Sequence, residues 1–226
     1  MILQGATMIK AITAALLLSL SMMAVAQPSP EEIAEWRAAA GQGEAWAQSN
    51  LGQMYDRGDG VPQDSAVAMK WWTKAAEQGY AKAQYNLALM YADGEGVPKD
   101  NATAVKWYTK AAEQGYAEAQ YNLGSMYDNG EGVPKNDATA VKWYTKAAEQ
   151  GVASAQENLA FMYAKGEGVP QDNVMAYMWW NLAAAQGDEN AKENKGKLQD
   201  SMTSAQIEEA QTLSRECLAK DYKTCG

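Results

Sequence analysis

Amide side chains are the polar groups of this chain with the most regular spacing. One glutamine column and one asparagine column recur every 36 residues, at Gln48, Gln84, Gln120 and Gln156 and at Asn50, Asn86, Asn122 and Asn158. An amide both donates and accepts hydrogen bonds, so it can link neighbouring helices and fix how they stack. The chemistry that these columns favour is hydrogen bonding rather than catalysis.

Residues for a chemical step are missing from the sequence. There is no histidine, which removes the commonest general base and metal ligand, and no serine is followed three residues later by lysine. The Gly94-Glu95-Gly96 turn lacks the later glycine of a dinucleotide fingerprint. Each such turn carries a single acidic residue, far fewer oxygens than calcium takes. We therefore predict no enzymatic activity, no catalytic residues, no metal site and no cofactor.

The columns belong to a repeat of 36 residues. Residues 79–114 differ from residues 115–150 at 7 of 36 positions, and residues 43–78 and 151–186 keep the same frame. Each copy has two apolar stripes with helical spacing, separated by a Gly-x-Gly-Val-Pro turn. A glycine ends the first helix, and the second starts at an N-cap residue: Asp64, Asp100, Asn136 or Asp172. Such small helix pairs must stack, so we predict an all-α solenoid of four 36-residue helix-turn-helix repeats.

Three positions of the first helix change from copy to copy, namely positions two, five and nine counted from Ala45, Ala81, Ala117 or Ala153. Their spacing of three and four residues predicts one shared helix face, opposite the repeating packing residues, and stacked copies would align these faces into a groove. The variable residues are Trp46, Ser49, Gln53, Lys82, Tyr85, Leu89, Glu118, Tyr121, Ser125, Ser154, Glu157 and Phe161. Aromatic rings are favoured anchors at interfaces. This surface is either a partner-binding groove or an unconstrained solvent face.

The repeat resembles the Sel1-like repeat family, which is related to tetratricopeptide repeats. All four copies match A-x-A-Q-x-N-L-x-x-M-Y-x-x-G-x-G-V-P-x-D/N, followed by W-x-x-x-A-A, over 144 of 226 residues. The resemblance implies an adaptor that holds other proteins together, and bacterial secreted or periplasmic members are common. In related tetratricopeptide units the equivalent asparagine clamps the backbone of a bound peptide. The resemblance thus adds Asn50, Asn86, Asn122 and Asn158 to the predicted groove, alongside a purely structural role.

The amino terminus predicts export. Residues 1–26 combine Lys10, an apolar run and an Ala24-Val25-Ala26 cleavage site, the features of a signal peptide that is removed. Residues 27–42 then match the second helix of a repeat, and a capping box at Ser29 and Glu32 starts it. We expect this half-repeat to cover the open end of the stack.

The carboxyl terminus predicts a second cap. In residues 187–226 the repeat decays, Lys195 and Lys197 give the next helix a solvated face, and Thr203 with Gln206 offers another capping box. The only two cysteines, Cys217 and Cys225, are predicted to form one local disulfide in an oxidising compartment. The secreted cysteine-rich members of the family carry a pair in each repeat, and this chain does not.

The charge of the chain narrows the class of partner. The net charge is −9, and it becomes more negative when Lys10 is removed with the signal. An acidic surface repels phosphate backbones and anionic lipid, so we expect neither nucleic acid nor membrane binding after cleavage. We predict a periplasmic or secreted scaffold that binds a protein or extended peptide along its concave surface. The alternatives are a periplasmic assembly factor for polysaccharide or envelope machinery and, from another class, a penicillin-interacting or cell-wall hydrolase enzyme.

Overall fold

The computed structural model describes residues 28–223 and residue 225, and the predicted signal peptide lies outside them. Eleven helices and no strands occur in this described part of the chain. The helices are α1 (Pro30–Gly41), α2 (Ala45–Arg57), α3 (Ser65–Glu77), α4 (Ala81–Asp93), α5 (Asn101–Glu113), α6 (Ala117–Asn129), α7 (Asp137–Ala148), α8 (Ala153–Lys165), α9 (Asn173–Ala185), α10 (Glu189–Gln199) and α11 (Ser204–Ala219). Each repeat supplies one pair, from α2–α3 to α8–α9.

Local sequence signals determine where these helices begin and end. The predicted N-cap residues Asp64, Asp100, Asn136 and Asp172 each accept a hydrogen bond from a backbone N–H of the following turn. The first helix of every pair ends at a glycine with φ between 71° and 77°, a left-handed conformation that suits glycine. The capping boxes predicted at Ser29 and Thr203 are both formed. These predicted helix ends are confirmed.

Neighbouring repeats bury one another's apolar faces. Leu123 and Ala119 of α6, both fully buried, pack with Ala104 and Tyr108 of the preceding repeat and with Trp143 of their own. Similar clusters join every pair of adjacent repeats, so the core runs along the stack instead of forming one centre. The predicted all-α solenoid of four repeats is confirmed.

The glutamine column forms a ladder inside this core. The Gln84 side chain donates to the Ala76 carbonyl of α3 at 3.1 Å and accepts from Gln114 at the end of α5 at 2.7 Å. The same two bonds recur in all four repeats, and all four glutamines of the column are buried. Each amide therefore ties its own repeat to the preceding helix, which confirms the structural role predicted for this column.

Additional helices cover both ends of the stack. At the first end, Ile33 and Ala40 of α1 pack on Leu51 and Met54 of α2. At the other end, α10 and α11 pack against α9, and the Ser214 hydroxyl approaches the Met178 carbonyl at 3.4 Å. Among the described residues, no helix is long and apolar enough to cross a membrane.

The last described residues fold back onto the stack. Cys217 at the end of α11 is joined to Cys225 in a disulfide, and both residues are buried. Between them, the Tyr222 ring lies where a Cβ on Gly151 would contact it at 3.3 Å. The disulfide thus holds the tail against the junction of the third and fourth repeats.

Candidate partner-binding surface

The first helices of successive repeats lie side by side and carry the predicted groove residues. We call the surface formed by these residues of α2, α4, α6 and α8 the first-helix surface. Lys82 of α4 donates to the Gln53 side chain of α2 at 2.9 Å, so the predicted residues of adjacent repeats touch directly. The surface is therefore continuous from the first repeat to the second.

A cleft of about 380 Å³ opens on this surface between α2 and α4. Five of the predicted residues line it: Gln53, Lys82, Tyr85, Asn86 and Leu89. The Trp72 ring of α3 and Met90 also contribute to the lining, and Tyr116 lies beside Tyr85, with ring centroids 5.1 Å apart. The cleft thus combines apolar and aromatic walls with amide groups.

Ser49 does not belong to the accessible surface, so its assignment to the groove was wrong. Its side chain is 1% exposed. The neighbouring Trp72 ring packs so closely on α2 that a Cβ on Gly52 would lie 2.5 Å from it, and the Trp72 N–H donates to the Ser49 carbonyl at 3.1 Å. Helical spacing places Ser49 near the variable face, but the ring from α3 covers it.

The two predicted tyrosine anchors are half-buried rather than fully presented to solvent. The Tyr85 ring lies 5.9 Å from the Tyr108 ring, and the Tyr121 ring lies 6.0 Å from the Tyr144 ring. Position five of the repeat frame is therefore part packing and part surface. The prediction that it lies opposite the packing residues was wrong for Tyr85 and Tyr121, because rings this large reach the second helix of their own repeat.

The asparagine column lies at the edge of the core. Asn122 donates to the Tyr108 hydroxyl at 3.2 Å, while Asn86 lines the cleft. The Tyr144 hydroxyl donates to the Asp128 carboxylate at 3.4 Å. Burial, and secondarily the charge of Asp128, raise the pKa of Tyr144, while Asn158 and Ser125 act in the opposite direction. All four asparagines are partly exposed. Asn122 therefore already bonds a tyrosine, whereas the Asn86 amide is accessible at the cleft.

The remaining predicted residues are distributed along the stack. Trp46 and Phe161 are exposed large apolar side chains, 38% and 39% respectively, and Glu118 and Ser154 are exposed as well. Phe161 packs edge-on against Trp180 at 5.9 Å, and Lys165 lies over its ring at 4.6 Å. Burial, followed by Asp188, raises the pKa of Glu157 on the same helix. None of these residues lines the cleft.

Acidic side chains dominate the charge at the cleft. Asp56, Asp93 and Glu95 line it together with Arg57 and Lys82. Partial burial, and secondarily the charge of Glu95, raise the pKa of Asp56, while Arg57 acts in the opposite direction. None of the ion pairs between described residues includes one of these three carboxylates. Their negative charge is thus left without a salt-bridge partner in this part of the chain.

These acidic residues were not among the predicted site residues. Asp56 follows Gln53 by three residues and Asp93 follows Leu89 by four, so both extend the variable face by one helical turn. Extending the spacing of three and four residues beyond position nine of the first helix would have identified both residues. Tyr116 could not be found in this way, because it reaches the cleft from the residue before α6.

The kinds of side chain at the cleft indicate what it can bind. Among residues 28–223 and residue 225, no group of three or more histidine, cysteine or acidic side chains could hold a metal ion. The side chains gathered at the cleft are amides, rings, carboxylates and two cations, which suit recognition of a ligand by contact.

Comparisons with known proteins identify the repeat. The family model described as Sel1 repeat matches four times, at residues 47–80, 81–116, 117–152 and 153–188. These matches begin two to four residues later than the predicted copies, a difference in where a tandem repeat is divided. No protein with curated information matches the chain significantly.

Solved structures give the same result. A Sel1 repeat protein from Oxalobacter formigenes is 35% identical with a TM-score of 0.66, over 86% of this chain and 74% of that protein. The protein c5321, described as a protective antigen present in uropathogenic Escherichia coli strains and displaying an SLR fold, is 31% identical with a TM-score of 0.56. That match covers 88% of this chain but 50% of c5321.

Proteins built from Sel1 repeats are generally interaction scaffolds that bind other proteins, and the fold is typically non-enzymatic. The four family matches, the identity to a solved Sel1 repeat protein and the stacked helix pairs agree with one another. This chain belongs to the Sel1 repeat family.

Proposed function

We propose that this chain is an exported, non-enzymatic scaffold that binds a partner protein through an extended segment laid along the first-helix surface. The observation that carries the proposal is the cleft between α2 and α4, which brings Tyr85, Asn86 and Leu89 together with Gln53. An extended segment needs amides for its backbone and apolar walls for its side chains, and this cleft has both.

Export is the second element of the proposal. The first 26 residues carry the signal-peptide features, and the disulfide between Cys217 and Cys225 suits an oxidising compartment. Fractionation of the producing cells with amino-terminal sequencing of the protein tests this element. We expect the protein outside the cytoplasm with Gln27 as its first residue. Cytoplasmic protein that retains residues 1–26 would contradict export.

The binding mode is tested with variants on two surfaces. The groove variant combines Asn86→Ala with Leu89→Ser, both in the cleft, and the control combines Lys70→Ala with Lys106→Ala, exposed on the second helices. Wild-type protein first captures partners from an extract of the producing cells, and the affinity of one purified partner is then measured for each variant. Far-ultraviolet circular dichroism verifies that all variants stay folded.

We expect the groove variant to lose at least tenfold in affinity, because it removes an amide contact and an apolar wall together. The control variant should bind as the wild type does. Equal affinity of the groove variant and the wild type would exclude the cleft as the binding site. Loss of affinity in the control variant alone would instead locate binding on the second helices.

A further inference from the structure

The cleft differs from the rest of the first-helix surface in the residues at its base and rim. In the first repeat, position five is the small Ser49, whereas Tyr85 and Tyr121 occupy it in the next two repeats. Trp72 covers Ser49 and lines the cleft, and the ring pair Tyr85 and Tyr116 lines it as well. The volume of about 380 Å³ is enough for a long side chain of a partner.

Acidic side chains lie near this ring pair. Burial, then the charge of Glu118, raise the pKa values of Tyr85 and Tyr116, and Asp93 adds a smaller effect on Tyr85. Two cations line the cleft beside three carboxylates. The Lys82 ammonium donates to the Gln53 side chain at 2.9 Å, and Arg57 acts to lower the pKa of Asp56 without forming a salt bridge in the described part of the chain. The rim carboxylates Asp56, Asp93 and Glu95 form no salt bridge with any described residue.

Aromatic faces beside unpaired carboxylates favour one kind of side chain. A guanidinium group is flat, stacks on aromatic rings and donates two parallel hydrogen bonds to a carboxylate. A lysine ammonium lacks the flat shape, and a carboxylate or phosphate would be repelled by three acidic groups. An apolar side chain would leave these groups unpaired when it displaced water from the cleft.

We propose that the cleft between α2 and α4 binds an arginine side chain of the partner, with the guanidinium group against Tyr85 and Tyr116 and paired to the rim carboxylates Asp56, Asp93 and Glu95. This inference rests on the proposed function, because it names the chemistry of the segment that the first-helix surface receives. The partner segment is then basic where the scaffold is acidic, which agrees with the net charge of −9.

Two small probes test the inference without a known partner. N-acetyl-arginine amide carries the guanidinium group, and N-acetyl-citrulline amide has the same shape without the charge. Each is titrated into isotope-labelled protein produced from the full sequence, and the Trp72 indole N–H and the backbone N–H groups of Tyr85 and Asn86 are followed by NMR. We expect saturable shifts of these signals with the arginine probe and at least tenfold weaker binding of the citrulline probe.

Matched variants test whether the rim carboxylates bind the arginine probe. Asp56→Asn combined with Asp93→Asn and Glu95→Gln should weaken binding of the arginine probe at least tenfold. The control is Glu131→Gln, the exposed carboxylate at the same place as Glu95 one repeat later, and it should leave binding unchanged. Equal binding of both probes, absence of a saturable shift, or an unchanged affinity in the triple variant would each overturn the inference.

The test separates this inference from the proposed function. A partner whose affinity falls in the Asn86 and Leu89 variant but not in the triple carboxylate variant would keep the scaffold and overturn arginine recognition. An arginine probe that binds as expected, with a partner indifferent to both variants, would keep the cleft as a guanidinium site and overturn its role in partner binding.

Discussion

The first two repeats and the next pair use the same helices to build different surfaces. Between α2 and α4, Ser49 and Gly52 are small, Trp72 packs onto the helix and a cleft opens. In the second repeat, Tyr85 fills the corresponding position and packs on Tyr108 and Tyr116. The two surfaces thus differ at three positions, where Ser49, Gly52 and Trp72 are replaced by Tyr85, Ala88 and Tyr108, while the stacking of the helices is kept.

The third repeat also differs from the first in the charge at the equivalent place. Asp128 of the third repeat, which corresponds to Asp56 of the first, lies 3.8 Å from the Lys135 ammonium. Asp56 has no salt bridge within the described residues, and burial raises its pKa. A repeat scaffold thus gains a specific site where one copy differs from the others both in packing and in charge.

Among the substitutions that test this comparison, Trp72→Ala should cause the largest loss of stability. Trp72 is buried and contacts the α2 backbone, so its removal leaves a cavity and should cost about 3–5 kcal/mol in the free energy of unfolding. Urea unfolding followed by circular dichroism measures the change. A loss well below 1 kcal/mol would mean that the ring is not part of the first repeat's core.

Gly52→Ala should cause the next largest loss of stability. The new Cβ would lie 2.5 Å from the Trp72 ring, so the ring must move, at a cost of about 1–3 kcal/mol in the free energy of unfolding. Ala88 occupies the same place in the second repeat beside Tyr108, and Gly41→Ala, where nothing lies within 4 Å of the new Cβ, serves as the control. Equal stability of both variants would contradict the close packing of Trp72.

A graft of the second repeat's residues onto the first should close the cleft. The variant combines Ser49→Tyr, Gly52→Ala and Trp72→Tyr, which reproduces Tyr85, Ala88 and Tyr108. We expect a folded protein that binds the arginine probe at least tenfold more weakly, since the new ring occupies the space of the ligand. NMR titration measures the affinity. Binding as tight as in the wild type would show that the cleft does not depend on these three residues.

Asp56→Asn should have the smallest effect, and its sign is diagnostic. The raised pKa of Asp56 means that the ionised carboxylate is disfavoured in the folded protein by burial and by Glu95, in spite of Arg57. The stabilising contribution of the protonated Asp56 side chain to the free energy of unfolding is present at low pH. It is lost as the pH rises through the pKa that Asp56 has in the folded protein. The variant should therefore melt slightly above the wild type at neutral pH, and the difference should vanish in acid.

A lower melting temperature of Asp56→Asn at neutral pH would contradict this interpretation. It would indicate that Asp56 has a stabilising partner in the folded protein. The same substitution should weaken binding of the arginine probe. A variant that is more stable but binds the probe less tightly would exclude unfolding as the cause of the lost binding.

The fold was predictable because its signals are local and repeated. The N-caps such as Asp100, the left-handed glycines such as Gly130 and the glutamine ladder follow from one 36-residue pattern. The first-helix surface was predictable only in part. Whether Ser49 is covered depends on the ring that α3 presents, and how deeply Tyr121 is buried depends on Tyr144. Such contacts between helices are not contained in the spacing along one helix.

The most direct test of the central claim is a hydrogen-exchange footprint of the captured partner on this chain. We expect slower exchange in α2, α4 and the residues around Tyr116 when the partner is bound, because a segment in the cleft shields these backbone groups. The second helices of the repeats, α3, α5, α7 and α9, should exchange as in the free protein. A footprint confined to the second helices or to α10 and α11 would contradict the account.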